Sequence, residues 1–280
     1  MKRKNSNSNL NLKTRTMKKQ YILIGFMALI AQFAQAQFTL DGEFRPRTEY
    51  RNGFGSIIPE DKDAGYGIST RLRLNAGFKT EGYNFYLSFQ DVMVWGENRQ
   101  LLPYDQNNSF SVFQAWADIK LGEGFSTKIG RQALSYDDQR ILGGLDWAQQ
   151  GRNHDAALLK YAKDGLKLDV ALAFNQDYSN PTGFVSTGTS YDTKGFFSYK
   201  TMQMLHLSKK WDKFSGSLLV LNNGFQEYED DGATADGASS LQTIGTHLKY
   251  KAGKFGIAAN AYLQSGQRQG EVDIKGAHLL

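Results

Sequence analysis

The sequence predicts an all-β protein, an antiparallel transmembrane β-barrel, and three features support this prediction. Amphipathic segments of about ten residues recur along the chain, and such alternation is typical of strands with lipid on one side and water on the other. The connections between these segments alternate between long and short, as they do in outer-membrane barrels. After residue 36 no segment is long and apolar enough for a membrane helix, so a membrane would be crossed by strands.

The first predicted strand, residues 38–51, has the clearest alternation. Apolar side chains such as Phe38, Leu40 and Phe44 fall on one face. The other face carries an unbroken series of charges: Asp41, Glu43, Arg45, Arg47, Glu49 and Arg51. The polar face of a soluble sheet more often has mixed polar residues, so this strand indicates a water-filled lumen.

The same alternation predicts eleven further strands. They cover residues 68–78, 85–95, 113–120, 125–132, 155–161, 166–174, 197–208, a segment centred on 218–221, 241–250, 257–264 and 273–280. In the fourth strand Phe113 is placed on the apolar, lipid-facing side with Ala115 and Ala117. Aromatic residues near the strand ends, such as Trp211 and Phe255, fit the interfacial girdles of membrane barrels.

Residues 1–36 have the features of a secretory signal peptide. A basic segment precedes an apolar run over residues 21–33, and Ala34-Gln35-Ala36 supplies the small-x-small cleavage pattern. Met17 is an alternative start. The apolar run is shorter than the roughly 20 residues that a membrane anchor needs, so we expect a mature chain with one partial barrel domain, residues 37–280.

Composition excludes several classes of function. The chain has 33 basic and 28 acidic residues, but seven of the basic residues and none of the acidic ones lie in the first 36 positions, which leaves a net charge of −2. Nucleic-acid binding therefore loses its compositional support. Cysteine is absent, which excludes disulfides and Cys-type zinc sites. The four histidines have no metal-ligand spacing, so we expect neither a metal nor a cofactor.

Residues 130–155 form the densest motif of the chain. Arg131, Arg140 and Arg152 stand among four aspartates, and four glycines permit close backbone turns. The alternation of connections places this stretch at the long-loop end, where it can fold into the lumen and narrow it.

These residues carry a resemblance to a known family. The motif residues are Gly130-Arg131-Gln132, Tyr136, Asp138-Gln139-Arg140, Gly143-Gly144, Trp147, Gly151-Arg152 and Asp155, with support from the charged first strand, Gln90-Asp91 and Trp95-Gly96. In these features the sequence resembles the alginate-export family of outer-membrane porins over essentially the whole mature chain. Asp137, where the family usually has glycine, and His154, where an aromatic residue is usual, depart from its pattern.

The resemblance implies a single-chain barrel of 18 strands whose arginine-rich constriction passes an anionic uronate polymer. Only 11 or 12 strands fit the present chain, so we expect it to be truncated at its C-terminal side and its first strand to lack a closing partner. The pore-lining candidates are Arg45, Arg47, Arg71, Arg73, Arg131, Arg140 and Arg152. Asp41, Glu43, Glu49, Asp138 and Asp155 are expected to hold these arginines by pairing across strands.

Guanidinium groups suit this task because they offer fixed forks to carboxylates and stay charged at any working pH. A different interpretation of the same residues is structural, since arginines inside wide barrels often connect the wall to a loop. The expected function is a porin without catalytic activity that conducts an anionic oligo- or polysaccharide, such as an alginate-like uronate polymer. Its expected partners are this glycan and outer-membrane lipid, and the full-length barrel is expected to be a monomer.

Two alternatives remain open at this stage. The first is a porin for small nutrients or ions without polymer specificity. The second is a surface hydrolase built on a barrel, which Asp137, Asp138 and His154 suggest because carboxylates and histidine in one loop are typical of hydrolytic sites. The acidic run at residues 227–231 could bind Ca²⁺, although a solvated acidic loop explains it better.

Overall fold

A computed structural model describes residues 37–53, 59–97, 109–175, 199–229, 235–268 and 272–280. Its strands form one antiparallel sheet of 12 strands, with each strand next to its neighbour in sequence. The strands are β1 (Gln37–Arg51), β2 (Gly65–Lys79), β3 (Tyr83–Val94), β4 (Ser111–Gly122), β5 (Phe125–Gln132), β6 (His154–Lys163), β7 (Leu166–Phe174), β8 (Thr201–Lys210), β9 (Phe214–Tyr228), β10 (Ala235–Ala252), β11 (Phe255–Arg268) and β12 (Val272–Leu279).

The predicted all-β antiparallel fold is therefore confirmed. The expected signal peptide, residues 1–36, and the predicted start of the eighth strand at residue 197 lie outside the described residues. None of the described residues belongs to a helix with the length and apolar character needed to cross a membrane.

The two faces of the sheet differ as the alternation predicts. One face exposes apolar side chains, including Phe44 (69% exposed), Ile129 (53%) and Leu172 (57%). Near the ends of the short hairpins this face also carries aromatic pairs, such as Trp211 with Phe214, whose ring centroids are 5.4 Å apart. We call this the outer face, and it has the composition of a surface in contact with lipid.

The opposite, inner face is covered in part by the long connection between β5 and β6. We call this connection, residues 133–153, the inner loop. On the inner face of β6 to β9 lie apolar side chains that include Leu158, Met204 and Leu221. Leu134 and Leu142 of the inner loop are buried against them.

The inner face of these strands is therefore apolar, unlike the charged inner face of β1 from which a water-filled lumen was predicted. They are apolar on both faces, as the continuous apolar run at residues 218–221 shows. Such runs are typical of strands that are buried on both sides, and here the inner loop provides the second covering layer.

One predicted side-chain orientation is wrong. Phe113 was expected on the outer face, but it is only 6% exposed and lies beneath the guanidinium of Arg73, whose Cζ is 3.7 Å from the ring centroid. The pairing of β3 with β4 shifts register between Ser88 and Phe89. This β-bulge adds one residue to β4 and turns Phe113 inward.

Short and long connections alternate along most of the sheet, with residues 269–271, between β11 and β12, as a short exception at the long-loop end. The hairpin between β6 and β7 turns on Asp164 (φ 50°) and Gly165 (φ 76°). Positive φ at both central residues is what a tight hairpin turn requires. Within the described residues β1 pairs with β2 alone and β12 with β11 alone, so the sheet has two edge strands, and the expected unpaired edge at β1 is present.

Candidate functional site

The inner loop begins where β5 ends and is held against two parts of the inner face. One part of the loop, residues 133–142, packs on the apolar wall of β6 to β9. A second part, residues 144–150, lies against β1 and β2, where its backbone carbonyls meet arginine side chains. The loop thus spans the inner side of the sheet between two well-separated groups of strands.

The charged row of β1 supplies two of these arginines. Arg45 donates to the carbonyls of Asp146 and Ala148, both at 2.6 Å, and to Oε1 of Gln149 at 3.0 Å. Arg47 donates to the carbonyl of Trp147. Both arginines are half-buried, so each fixes the loop and still presents part of its guanidinium to solvent.

Two arginines of β2 lie beside them. Arg71 stands opposite Arg45 in the β1–β2 register, is fully buried and pairs with Glu43. Arg73 donates to Oε1 of Gln90 at 2.7 Å and to Oδ1 of Asp146 at 2.8 Å. Four of the predicted arginines are therefore gathered at one place, the arginine cluster, defined as Arg45, Arg47, Arg71 and Arg73.

Asp146 is the carboxylate that the inner loop contributes to the arginine cluster. Its Oδ1 lies 3.1 Å from Arg71 and 2.8 Å from Arg73. Partial burial opposes ionisation of this carboxyl, but the hydrogen bond from Arg73 and the charge of Arg71 outweigh that effect and lower its pKa below the ordinary aspartate value. Asp146 is thus held as an anion between two guanidinium groups.

The other half of the inner loop is anchored by three consecutive residues. The hydroxyl of Tyr136 donates to Asp169 of β7 at 2.9 Å. Asp137, with φ at 54°, accepts a hydrogen bond from Nε2 of His206 on β8 at 3.0 Å. Asp138 accepts one from the amide of Asn260 on β11 at 2.7 Å, so these three residues bind three different strands.

Both aspartates are held as carboxylates by these contacts. Burial opposes ionisation of Asp137, yet the hydrogen bonds from His206 and Ser217 lower its pKa. Burial likewise opposes ionisation of Asp138, and the hydrogen bonds from Asn260 and Arg140 lower its pKa. These contacts fix the position of the loop on the wall.

The structure places one predicted pore-lining residue, Arg131, and one predicted supporting carboxylate, Asp155, away from the arginine cluster. Arg131 and Asp155 pair across β5 and β6 through two parallel hydrogen bonds of 2.8 Å. By alternation Arg131 shares the outer face with Ile129, which is 53% exposed. This pair therefore lies on the side of the sheet away from the arginine cluster.

The other candidates have separate surroundings. Arg140 pairs with Asp138 at 2.8 Å on the exposed part of the inner loop. The backbone of Arg152 donates to the carbonyl of Gly144 at 2.8 Å, and burial lowers the pKa of its side chain. Glu49 pairs with Arg51 at 2.8 Å and lies 4.0 Å from Arg47.

Asp41 was expected to hold an arginine, but it accepts a hydrogen bond from the amide of Asn75 at 2.7 Å. The reason is register, because Asn75 stands directly opposite Asp41 in the β1–β2 pair. Glu43 stands opposite Arg73 and does bind the arginines, with Arg71 as its closest partner.

Within the described residues, two of the residues suggested for a hydrolytic site, Asp137 and His154, have different partners. Asp137 binds His206, whereas Nδ1 of His154 lies 2.8 Å from the hydroxyl of Tyr199. In the described part of the chain no group of three His, Cys, Asp or Glu side chains is placed to hold a metal ion. Two members of the acidic run, residues 230 and 231, lie outside the described residues.

Three residues that contact the arginine cluster were not predicted from the sequence as part of the site. Asp146 and Gln149 lie in a loop whose path alternation does not reveal, although their position in a motif rich in charge and glycine was a signal. Phe113 was missed because a bulge cannot be inferred from period-two alternation.

Comparisons with known proteins identify the family and agree with the fold. A model of the alginate export family matches residues 36–278. The fold is similar to that of the anion-selective porin from Comamonas acidovorans, with a TM-score of 0.52, 15% identity, and coverage of 87% of this chain and 72% of that porin. It is also similar to OccAB4 from Acinetobacter baumannii, with a TM-score of 0.51 and 14% identity, over 87% of this chain and 62% of OccAB4. The chain thus spans less than two thirds of OccAB4. No curated protein matches the sequence.

Proposed function

The chain belongs to the alginate export family of outer-membrane porins, and we propose that it conducts an anionic oligo- or polysaccharide, such as an alginate-like uronate polymer, past the arginine cluster. The fold is that of outer-membrane porins, and the protein is a channel of the outer membrane. We further propose that the arginine cluster lines the lumen and that the full-length barrel is a monomer without catalytic activity.

The observation that carries the proposal is the gathering of four guanidinium groups on one inner edge of the sheet. Glu43, Glu49 and Asp146 supply three carboxylates to the same place, so the local balance is positive although residues 37–280 have a net charge of −2. Arg47 keeps 28% of its side chain exposed. A positive patch on a low-dielectric wall raises the local concentration of anions.

The four arginines differ in exposure, and this difference suits a permeating polymer. Arg71 and Arg73 are buried and bind carboxylate and amide partners, whereas Arg45 and Arg47 are half-exposed. A carboxylate of the polymer would meet Arg45 and Arg47 at the surface and would not need to displace the buried pairs. Contacts with arginines that keep their bonds to the inner loop would favour entry without trapping the polymer, as conduction requires.

Ion selectivity tests the role of the exposed arginines. In planar bilayers with a KCl gradient, Arg47→Gln should shift the reversal potential of the full-length protein toward lower anion preference, and Arg47→Glu should shift it further. Arg131→Gln removes the same charge from the outer face and is the matched control. Equal shifts in Arg47→Gln and Arg131→Gln would contradict the proposed pore lining.

A porin for small solutes is the second candidate, because every arginine of the cluster also binds the inner loop and could serve as a structural connection alone. Uronate oligomers distinguish the two functions. The proposed function predicts that a mannuronate trisaccharide blocks single-channel current at millimolar concentration or below. Free passage of sucrose and phosphate without any uronate block would support the small-solute porin instead.

A further inference from the structure

We propose that a cavity between the inner loop and strands β1 to β4 binds one sugar ring through its hydroxyl groups. The proposal rests on the proposed function in taking a glycan as the permeant. The cavity has a volume of about 360 Å³ and adjoins the arginine cluster at Arg73. Sites of this size are at the lower end of the range that holds small ligands, so it suits a single ring and not a polymer.

The wall of the cavity carries a fixed chain of polar groups. The hydroxyl of Ser88 donates to Oδ1 of Asn75 at 2.6 Å, and the amide of Asn75 donates to Asp41 at 2.7 Å. Ser88 is fully buried, so its role is to orient Asn75. The amide nitrogen of Asn75 has two protons, so this group is held in place and still able to donate to a ligand.

The inner loop provides polar groups on the opposite side. Ser135 and Gln139 line the cavity, and both are exposed. The backbone of Gln139 has φ at 64°, a conformation in which few residues other than glycine are found. The loop thus adopts an uncommon conformation at the residue that places an amide over the cavity.

An aromatic side chain completes the lining. Tyr86 borders the cavity and stacks on Trp116 with ring centroids 5.3 Å apart and an interplanar angle of 24°. Stacking on a second ring restrains Tyr86. An aromatic ring beside hydrogen-bonding groups suits a sugar, which has apolar C–H groups as well as hydroxyls.

The charged groups at the cavity are already paired with one another. Glu43 and Asp146 line it together with Arg73, and both carboxylates bind Arg71 and Arg73. Sugar hydroxyls can still donate to carboxylate oxygens, whereas a carboxylate of the ligand would have to compete with Glu43 and Asp146 for these guanidinium groups. The cavity therefore binds the hydroxyl edge of a ring, and the acid groups of a uronate remain with Arg45 and Arg47.

Block by a neutral trisaccharide tests the proposal on the full-length protein in planar bilayers. Mannotriose should interrupt the single-channel current, and Asn75→Ala or Gln139→Ala should weaken this block about three- to tenfold, which is the usual effect of one lost hydrogen bond. Open-channel conductance should stay unchanged. Gln242→Ala, on the exposed outer face, is the matched control. Mannotriose should block the current of this variant as strongly as that of the parent protein.

Absence of block by mannotriose, or equal block in the parent and both cavity variants, would overturn the proposal. The outcome is separable from that of the proposed function. Block by the mannuronate trisaccharide alone would refute the cavity site and keep the anionic permeant. Block by mannotriose alone would refute the anionic permeant and keep the cavity site.

Discussion

Asp146 shows how one loop residue can be bound to a barrel wall by charge. Its carboxylate contacts Arg71 and Arg73, and the backbone carbonyls of its own residue and of Ala148 accept from Arg45. Side chain and backbone therefore act together at the same site. About 70% of the Asp146 side chain is exposed, so solvent screens its ion pairs and their contribution to global stability is small. The consequence is local, on the position of the loop.

The lowered pKa of Asp146 predicts a pH-dependent change in the channel. Because its pKa in the folded protein lies below the ordinary value of about 3.9, its ion pairs are fully present above that value and are lost as the pH falls through the folded-state pKa. We expect current fluctuations in single channels to increase below about pH 4, as this half of the loop loosens.

Asp146→Asn should show these fluctuations already at neutral pH, because the amide has no charge to offer Arg71 and Arg73. Asp212→Asn, in an exposed hairpin turn, serves as the control and should show no more current fluctuations than the parent. The expectation fails if the fluctuations of Asp146→Asn at neutral pH are as small as those of the parent.

At the scale of the strand, Gly130 shows why a glycine is required within β5. It has φ at 122°, and a Cβ atom there would collide with the carbonyl of Ala115 and lie 2.9 Å from Cα of Trp116. Gly130→Ala should therefore lower the free energy of unfolding by about 1 to 3 kcal/mol. Urea unfolding of the refolded protein in detergent micelles measures this difference.

Gly256→Ala on β11 is a suitable control. The nearest atom to a Cβ at Gly256 is the carbonyl oxygen of Tyr250 at 3.8 Å, an ordinary contact distance. The two substitutions add the same methyl group to a strand of the same sheet. An equal loss of stability in both variants would show that strain at Gly130 is not the cause.

Sequence patterns predicted the strands more completely than the site. Alternation located all twelve strands because successive side chains of a strand point to opposite faces of the sheet, and the register of β1 with β2 then brought Arg45 opposite Arg71. The inner loop follows no period, so the positions of Asp146 and Gln149 depend on tertiary contacts. Phe113 is turned by a bulge, and Arg131 lies on the outer face because of its place in β5.

In the whole molecule, the inner loop connects the apolar wall of β6 to β9 with the arginine cluster on β1 and β2. Its apolar residues cover strands that would otherwise expose Leu158 and Met204 on the inner side, and its carbonyls satisfy the arginines of the opposite wall. The inner loop thus makes apolar contacts along β6 to β9 and leaves the charged side chains of the arginine cluster on β1 and β2. An uneven field of this kind is set by placement, because the net charge of residues 37–280 is slightly negative.

This dependence on placement leads to a test with two variants of equal net charge. The first carries Arg45→Gln and Arg47→Gln in the arginine cluster. The second carries Lys213→Gln and Lys254→Gln in two exposed hairpin turns. Each variant loses two positive charges, but only the first should lose anion preference in reversal-potential measurements. The parent's preference should also fall between 0.1 M and 1 M KCl, because the screening length shortens from about 10 Å to about 3 Å. Equal loss in the two variants would mean that overall charge, and not the arginine cluster, sets selectivity.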